Sequence, residues 1–206
     1  MSLPYARTFD EIYLYLDLRP CVCGETQLDE RVSTSVVVDG EPAERISGQC
    51  ASCGRPRQFT FRMPPGTPEV SFEISYGGDE PSRLLDPGEW LGVSELYGVA
   101  ADEQLGDLDP SDDEAVTRAY YLLASSLAAV DEVRKFLPEG AAAVPEGAFW
   151  SQAGRMVYET SAERFERDRL TAERAEIAER VAEFEQRYGA ADADADADAD
   201  APAERG

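Results

Sequence analysis

Histidine is absent from the 206 residues. Its absence removes histidine general bases, Ser-His-Asp and Cys-His nucleophile pairs, and imidazole metal ligands. Lysine occurs once, at Lys135, and the remaining basic residues are arginines. The sequence has no P-loop and no GxGxxG; Gly77-Gly78-Asp79 and Gly92 offer no phosphate cradle. Ser35, Ser47 and Ser52 have no histidine to activate them. Long apolar runs are missing too, so no segment approaches the ~20 residues that span a bilayer. The N-terminus lacks a basic stretch followed by an apolar run and a small-residue cleavage site. A cytoplasmic, membrane-free, non-enzymatic protein is expected.

Charge is abundant and one-sided. Acids number 42 against 19 basic residues, a net charge of −23 at neutral pH. Phosphates are repelled by such a field, which disfavours generic binding to nucleic acid or membranes and favours a basic protein partner. Acidic pairs such as Asp10-Glu11, Asp29-Glu30 and Asp112-Asp113 fall in caps, turns and helix faces, with no apolar surround to raise a pKa. The arginine, alanine, glycine and acid bias looks like that of a GC-rich bacterial genome.

The texture changes along the chain. Residues 1–80 are rich in β-branched and aromatic residues, residues 81–188 are helical in pattern, and residues 189–206 are an Ala-Asp tail. The two larger regions can form one domain. In the first, Arg31–Val38 reads as a strand, Asp39-Gly40 as a hairpin turn, and Ala43–Ser47 as a second strand. Phe59 and Phe61 alternate with Gln58, Thr60 and Arg62, and Glu69–Ser75 alternates again with Val70, Phe72 and Ile74 on one face. The opening segment fits a strand, or a short helix capped by Thr8 and Glu11 that leads into an extended segment; the helix is favoured. In the second region, Asp86-Pro87-Gly88 precedes a helix carrying Trp90, Val93 and Tyr97. Ser111 and Glu114 form a capping box for a helix with Val116, Ala119, Tyr120, Leu123, Leu127, Val130 and Leu137 on one face. A shorter helix is expected over Glu146–Tyr158 and a last one over Ser161–Tyr188. The last one has a thin stripe (Phe165, Leu170, Ile177, Val181, Phe184) and four-spaced pairs Glu163/Arg167, Glu176/Arg180 and Glu183/Arg187. The expected fold is α+β: a small antiparallel sheet at the N-terminus packed with three to four helices.

The informative motif is Pro20-Cys21-Val22-Cys23-Gly24 followed by Gly48-Gln49-Cys50-Ala51-Ser52-Cys53-Gly54. Zn²⁺ takes four thiolates at tetrahedral positions. Each knuckle supplies two, and the chain between them holds one hairpin that brings the pairs together. The glycine after each pair permits positive φ and lets amides point at sulfur. Residues 19–63 resemble a zinc ribbon. The first knuckle departs from that family in having one residue rather than two between its cysteines. The Cys-x-Cys-Gly and Cys-x2-Cys-Gly-Arg-Pro-Arg arrangement also resembles that of uncharacterised actinobacterial proteins, a resemblance that implies no activity. The resemblance implies structural zinc held by Cys21, Cys23, Cys50 and Cys53. A redox pair is disfavoured because β-rich sequence, not a βαβ unit, surrounds both motifs. Catalytic zinc is disfavoured because four thiolates leave no position for water.

Arg45, Arg55, Arg57 and Arg62 form a basic island without acids. They can recognise an anion, including nucleic-acid phosphates, with Phe59 and Phe61 stacking on bases. The favoured reading is that they pair with the protein's own acids and steady the thiolate cluster. The leading expectation is a zinc-stabilised protein-binding module, of the kind an acidic immunity protein or antitoxin exemplifies, with Glu176 and Glu183 facing a basic partner. The alternative is a nucleic-acid-associated zinc ribbon binding through the arginines.

The tail holds six acids, one arginine and no large apolar residue, so it cannot offset its ordering entropy by burial and is expected to be disordered. Removing it leaves a net charge of −18. Deletion of residues 190–206 should shift Tm by no more than about 2 °C in a calorimetric scan; a larger drop would show that the tail docks on the folded part.

Overall fold

The computed structural model of the chain describes residues 3–67 and 74–189. Among the described residues, five α-helices and three strands follow one another in an α+β fold. They are α1 (Phe9–Asp17), β1 (Leu28–Val38), β2 (Glu41–Cys50), β3 (Pro56–Arg62), α2 (Pro87–Gly106), α3 (Asp113–Lys135), α4 (Gln152–Ser161) and α5 (Arg167–Tyr188). Among the described residues, no helix is long and apolar enough to cross a membrane. Most of the expected strand Glu69–Ser75, with Val70 and Phe72, lies outside the described residues, as does the tail beyond Gly189. Ile74 is half-buried and in no strand.

The sheet is a meander in the order β1-β2-β3, antiparallel throughout. Asp39 and Gly40 both adopt positive φ, 53° and 82°, and close a two-residue hairpin between Val38 and Glu41. Register then sorts the side chains. Ile46 lies opposite Phe59 and Glu44 opposite Phe61, so these face inward with Arg57. Arg45 lies opposite Thr60, and Arg62 shares that outer face. The expected alternation of Phe59 and Phe61 with Gln58, Thr60 and Arg62 is what forms.

The opening segment is a helix, and it joins the two halves of the fold. Its Phe9, Ile12 and Leu16 pack with Ala6, Ile46, Phe61 and Leu84 under the sheet. Leu14, on another face, enters a cluster with Trp90, Leu91, Val133, Phe149 and Phe165 among the helices. A third cluster joins Ala101, Ala119, Leu123, Val181 and Phe184 where α2, α3 and α5 meet. Burial of each large apolar side chain contributes roughly 1.5–3 kcal/mol.

A buried ionic network locks α1 in place. Arg7 donates to Glu11 and to Glu132 of α3, at 2.8 Å each. The single lysine, Lys135, donates to Glu132 at 2.6 Å and to the carbonyl of Gly78 at 2.7 Å. Burial holds the Glu132 carboxyl above its usual range although both cations pull it down. The N-terminal cap differs from the expected box. Thr8 accepts from the Glu11 N–H, but the Glu11 carboxylate accepts from the Arg7 N–H rather than from that of Thr8, because it also serves the network.

The helical half corrects several expectations. Asp112, not Ser111, caps α3, accepting from the Ala115 N–H; Ser111 instead donates to Asp109. Asp86 caps α2 in a full capping box with Glu89 and also accepts from the Ser151 N–H at 2.7 Å, so one carboxylate holds the start of two helices. The approach is so close that a Cβ on Gly154 would overlap that carboxylate. Residues 146–148 form a separate 3₁₀ turn rather than the start of α4. The last helix begins at Arg167, because Phe165 and Arg167 leave helical pairing to bond Val144 and Ala142. The expected four-spaced pairs on α5 do not form. Arg167 donates to the carbonyls of Ala141 and Pro138, Arg180 pairs with Asp102, and Arg187 lies over the Tyr188 ring. Tertiary partners outcompete local ones worth a few tenths of a kcal/mol, roughly.

Glu132→Ala removes one arm of a network whose cations remain buried, and should cost about 3–5 kcal/mol. Because α1 belongs to both cores, urea unfolding followed by circular dichroism and by tryptophan fluorescence should give one coincident transition at a lower midpoint. Separate transitions would show that sheet and helices fold independently.

Candidate metal centre

The two cysteine knuckles are built by short turns at the ends of the sheet. Cys21 and Cys23 lie in the turn after α1, and Cys50 is the last residue of β2, with Cys53 in the turn before β3. In the first knuckle the Gly24 N–H donates to the Cys21 carbonyl at 2.8 Å, and in the second the Gly54 N–H donates to the Cys50 carbonyl at 2.8 Å. Both glycines have positive φ, 93° and 67°, which a side chain would disfavour. Their own amides close the turns, and in the second knuckle other backbone amides turn toward sulfur, as expected. The amides directed at sulfur belong to Ser52, Cys53 and Arg55.

The four sulfurs lie within 4.8 Å of one another. Contacts run across the knuckles: Cys21 to Cys53 is 3.7 Å and Cys23 to Cys50 is 3.4 Å. A tetrahedral ion with metal–sulfur bonds near 2.3 Å places its ligands about 3.8 Å apart. The donor set therefore fits one metal ion, with two thiolates from each knuckle. Cys21 and Cys50 are buried while Cys23 and Cys53 are exposed, so the cluster sits at the surface with one side closed by the sheet.

The thiols cannot all ionise unaided. The Cys53 N–H, helped by that of Ser52, draws the Cys50 thiol down to about 7 against its desolvation. The Arg55 N–H favours the Cys53 thiolate, but the neighbouring sulfurs outweigh it and push that thiol up to about 11. A cation between them removes the conflict.

The four expected anion-binding arginines are dispersed. Arg57 faces inward, over the Phe59 ring at 4.9 Å, and donates to the carbonyls of Arg19 and Thr26. Those carbonyls flank Cys21 and Cys23, so Arg57 ties the first knuckle to β3. Arg62 pairs with Glu41 at 2.7 Å. Arg45 shares the outer face with Arg62 and has a buried Nε without a partner, and Arg55 is exposed beside the second knuckle. Glu176 and Glu183 are exposed on α5. Arg57 thus steadies the first knuckle as the favoured reading of this island has it, but through backbone carbonyls rather than through charge on the thiolates.

No family model, curated protein or solved structure matches this chain.

Metal uptake should release protons. Cys50 is held below its ordinary value of 9.0, so the contribution of its thiolate is complete above that pH and is lost as pH falls through about 7. Apparent metal affinity, read by chelator competition, should fall steeply between about pH 8 and pH 6; a flat profile would exclude thiolate ligation.

Proposed function

We propose that this protein is a non-catalytic, cytoplasmic protein-binding module whose sheet is closed by one structural Zn²⁺ and whose acidic surface engages a basic protein partner. The closed set of four sulfurs carries the zinc reading. Four thiolates complete a tetrahedral shell, leave no position for a reactive water, and suit zinc among common ions. Apparent binding energies for such sites are roughly 10–16 kcal/mol, comparable with the stability of a whole domain. The ion therefore contributes folding energy at the end of the sheet that carries both knuckles.

The partner reading rests on charge. Net charge is −23, and residues 1–188 carry −18 of it. Glu176 and Glu183 support it locally: they are exposed, and the arginines one turn on, Arg180 and Arg187, are engaged elsewhere. An acidic field of this kind accelerates association with a cationic surface. A protein that sequesters a basic toxin, as an immunity protein or antitoxin does, is the form of this reading that the charge fits, by analogy alone. Nucleic-acid binding has less support, since Arg57 and Arg62 face opposite sides of β3 and each already has partners.

Binding to a basic protein should show an association rate that falls at least tenfold between about 20 and 300 mM salt, and Glu176→Gln with Glu183→Gln should slow it further. Insensitivity to salt, or a preferred partner that is acidic, would leave the charge as a solubility trait. A salt-dependent gel shift with RNA or DNA that is lost on replacing Arg45 and Arg55 would instead support the nucleic-acid alternative.

A further inference from the structure

One recess between α1, α2 and α3 combines carboxylates with aromatic walls. It encloses about 230 Å³ and is lined by Asp10, Asp17, Tyr13, Tyr76, Tyr97 and Tyr121. Asp10 and Asp17 stand two turns apart on one face of α1, about 10 Å along its axis. Tyr76 and Tyr97 share a side-chain hydrogen bond, with Ser125 beside them. Tyr121 stands at the mouth, 48% exposed.

Half-buried Asp10, with Asp17 exposed at the rim, differs from the buried acids of the protein. Glu11 and Glu132 share Arg7, Glu89 has Arg19, Asp86 accepts from three amides, and Glu44 accepts from Ser33 and Ser35. Asp10 and Asp17 make no ion pair among the described residues, and burial raises the pKa of both. Asp17 is also the last residue of α1, where the helix dipole disfavours an anion and the last turn carries no basic residue. Asp17 has the field of Arg31 to offset part of this, whereas Asp10 has no cation beside it among the described residues.

The aromatic walls supply the second half of the chemistry. Tyrosine faces attract cations, more strongly where water is excluded. Burial raises the Tyr76 and Tyr97 phenols, so both stay neutral and present rings and hydroxyls rather than charge. The rim already shows the preference: the Arg31 guanidinium lies 4.2 Å from the centre of the Tyr13 ring and draws the Asp17 pKa back down. Asp10, deeper along α1, has no such cation.

We propose that this recess is a receptor for an organic cation, a guanidinium or alkylammonium head group seated between the tyrosine rings and held by Asp10 and Asp17. For the source of that head group the proposal rests on the basic-partner reading: an arginine or lysine side chain of the partner is the occupant. The volume suits one such side chain and is small for a folded segment. A half-buried carboxylate retained at Asp10 without an ion pair is the pattern expected of a binding residue.

The test uses the full-length, metal-loaded protein. N-acetyl-arginine amide and tetramethylammonium are titrated with tyrosine NMR shifts as readout, with neutral N-acetyl-norleucine amide as control. Saturable shifts are expected for both cations and not for the neutral compound, weakened at least tenfold in Asp17→Asn and in Tyr121→Ala. Asp17→Asn should also raise Tm by about 1–3 °C. No saturable shift up to about 50 mM, an equal response to the neutral compound, or undiminished binding in both variants would overturn the proposal. Hexa-arginine separates the two readings. If it binds wild type and variants alike, the recess is not its receptor, while the basic-partner reading stands. If the free cations bind the recess and hexa-arginine binds nowhere, the receptor stands and the basic-partner reading fails.

Discussion

Arg7 and the two carboxylates it holds are the joint on which this fold turns. Glu11 sits on α1 and Glu132 on α3, 121 residues later in the chain, and one guanidinium serves both where water is excluded. Charges taken out of water cost several kcal/mol each unless they meet a partner with good geometry, and the remaining acceptor sites are filled here by Ser82, Lys135 and the Arg7 amide. Displacement of α1 would break the Arg7–Glu132 bond and leave that buried carboxylate to Lys135. We read the network as fixing position rather than adding net stability. Once α1 is fixed, its other faces follow: Phe9, Ile12 and Leu16 seat the sheet, and Leu14 enters the helical core.

The placement of α1 also positions the metal centre. The first knuckle begins four residues after α1 ends, and Arg57 reaches from β3 to the carbonyls on either side of it. The second knuckle grows out of β2. Two turns from separate elements thus meet with their sulfurs interleaved, and their ionisation conflict makes a cation the natural completion. A net charge of −23 does not oppose this, because the ion is held by direct ligation rather than by the surrounding field.

Local rules made much of this readable in the sequence. Alternation of Phe59 and Phe61, the Asp39-Gly40 turn and the spacing of the cysteines are short-range signals, and sheet, hairpin and sulfur cluster all form where they indicate. What escaped was long-range competition. Glu11 looked like half of a capping box and turned out to serve Arg7. The four-spaced acid–arginine pairs of α5 looked self-sufficient, yet Arg167 and Arg180 found partners on other elements. The break at Glu166 depends on residues 142–144, more than twenty positions away. The recess beside Asp10 was not legible, because Tyr76, Tyr97 and Tyr121 reach it from three other parts of the chain. Periodicity reports which face is buried and not what it is buried against.

The central claim is that the four cysteines bind one ion that closes the N-terminal sheet. X-ray absorption at the zinc edge of the purified, full-length protein tests it most directly. The account predicts a single shell of four sulfur scatterers at ~2.3 Å with no nitrogen or oxygen neighbour. A mixed sulfur–oxygen shell, a sub-stoichiometric edge or sulfurs oxidised to disulfide would contradict it.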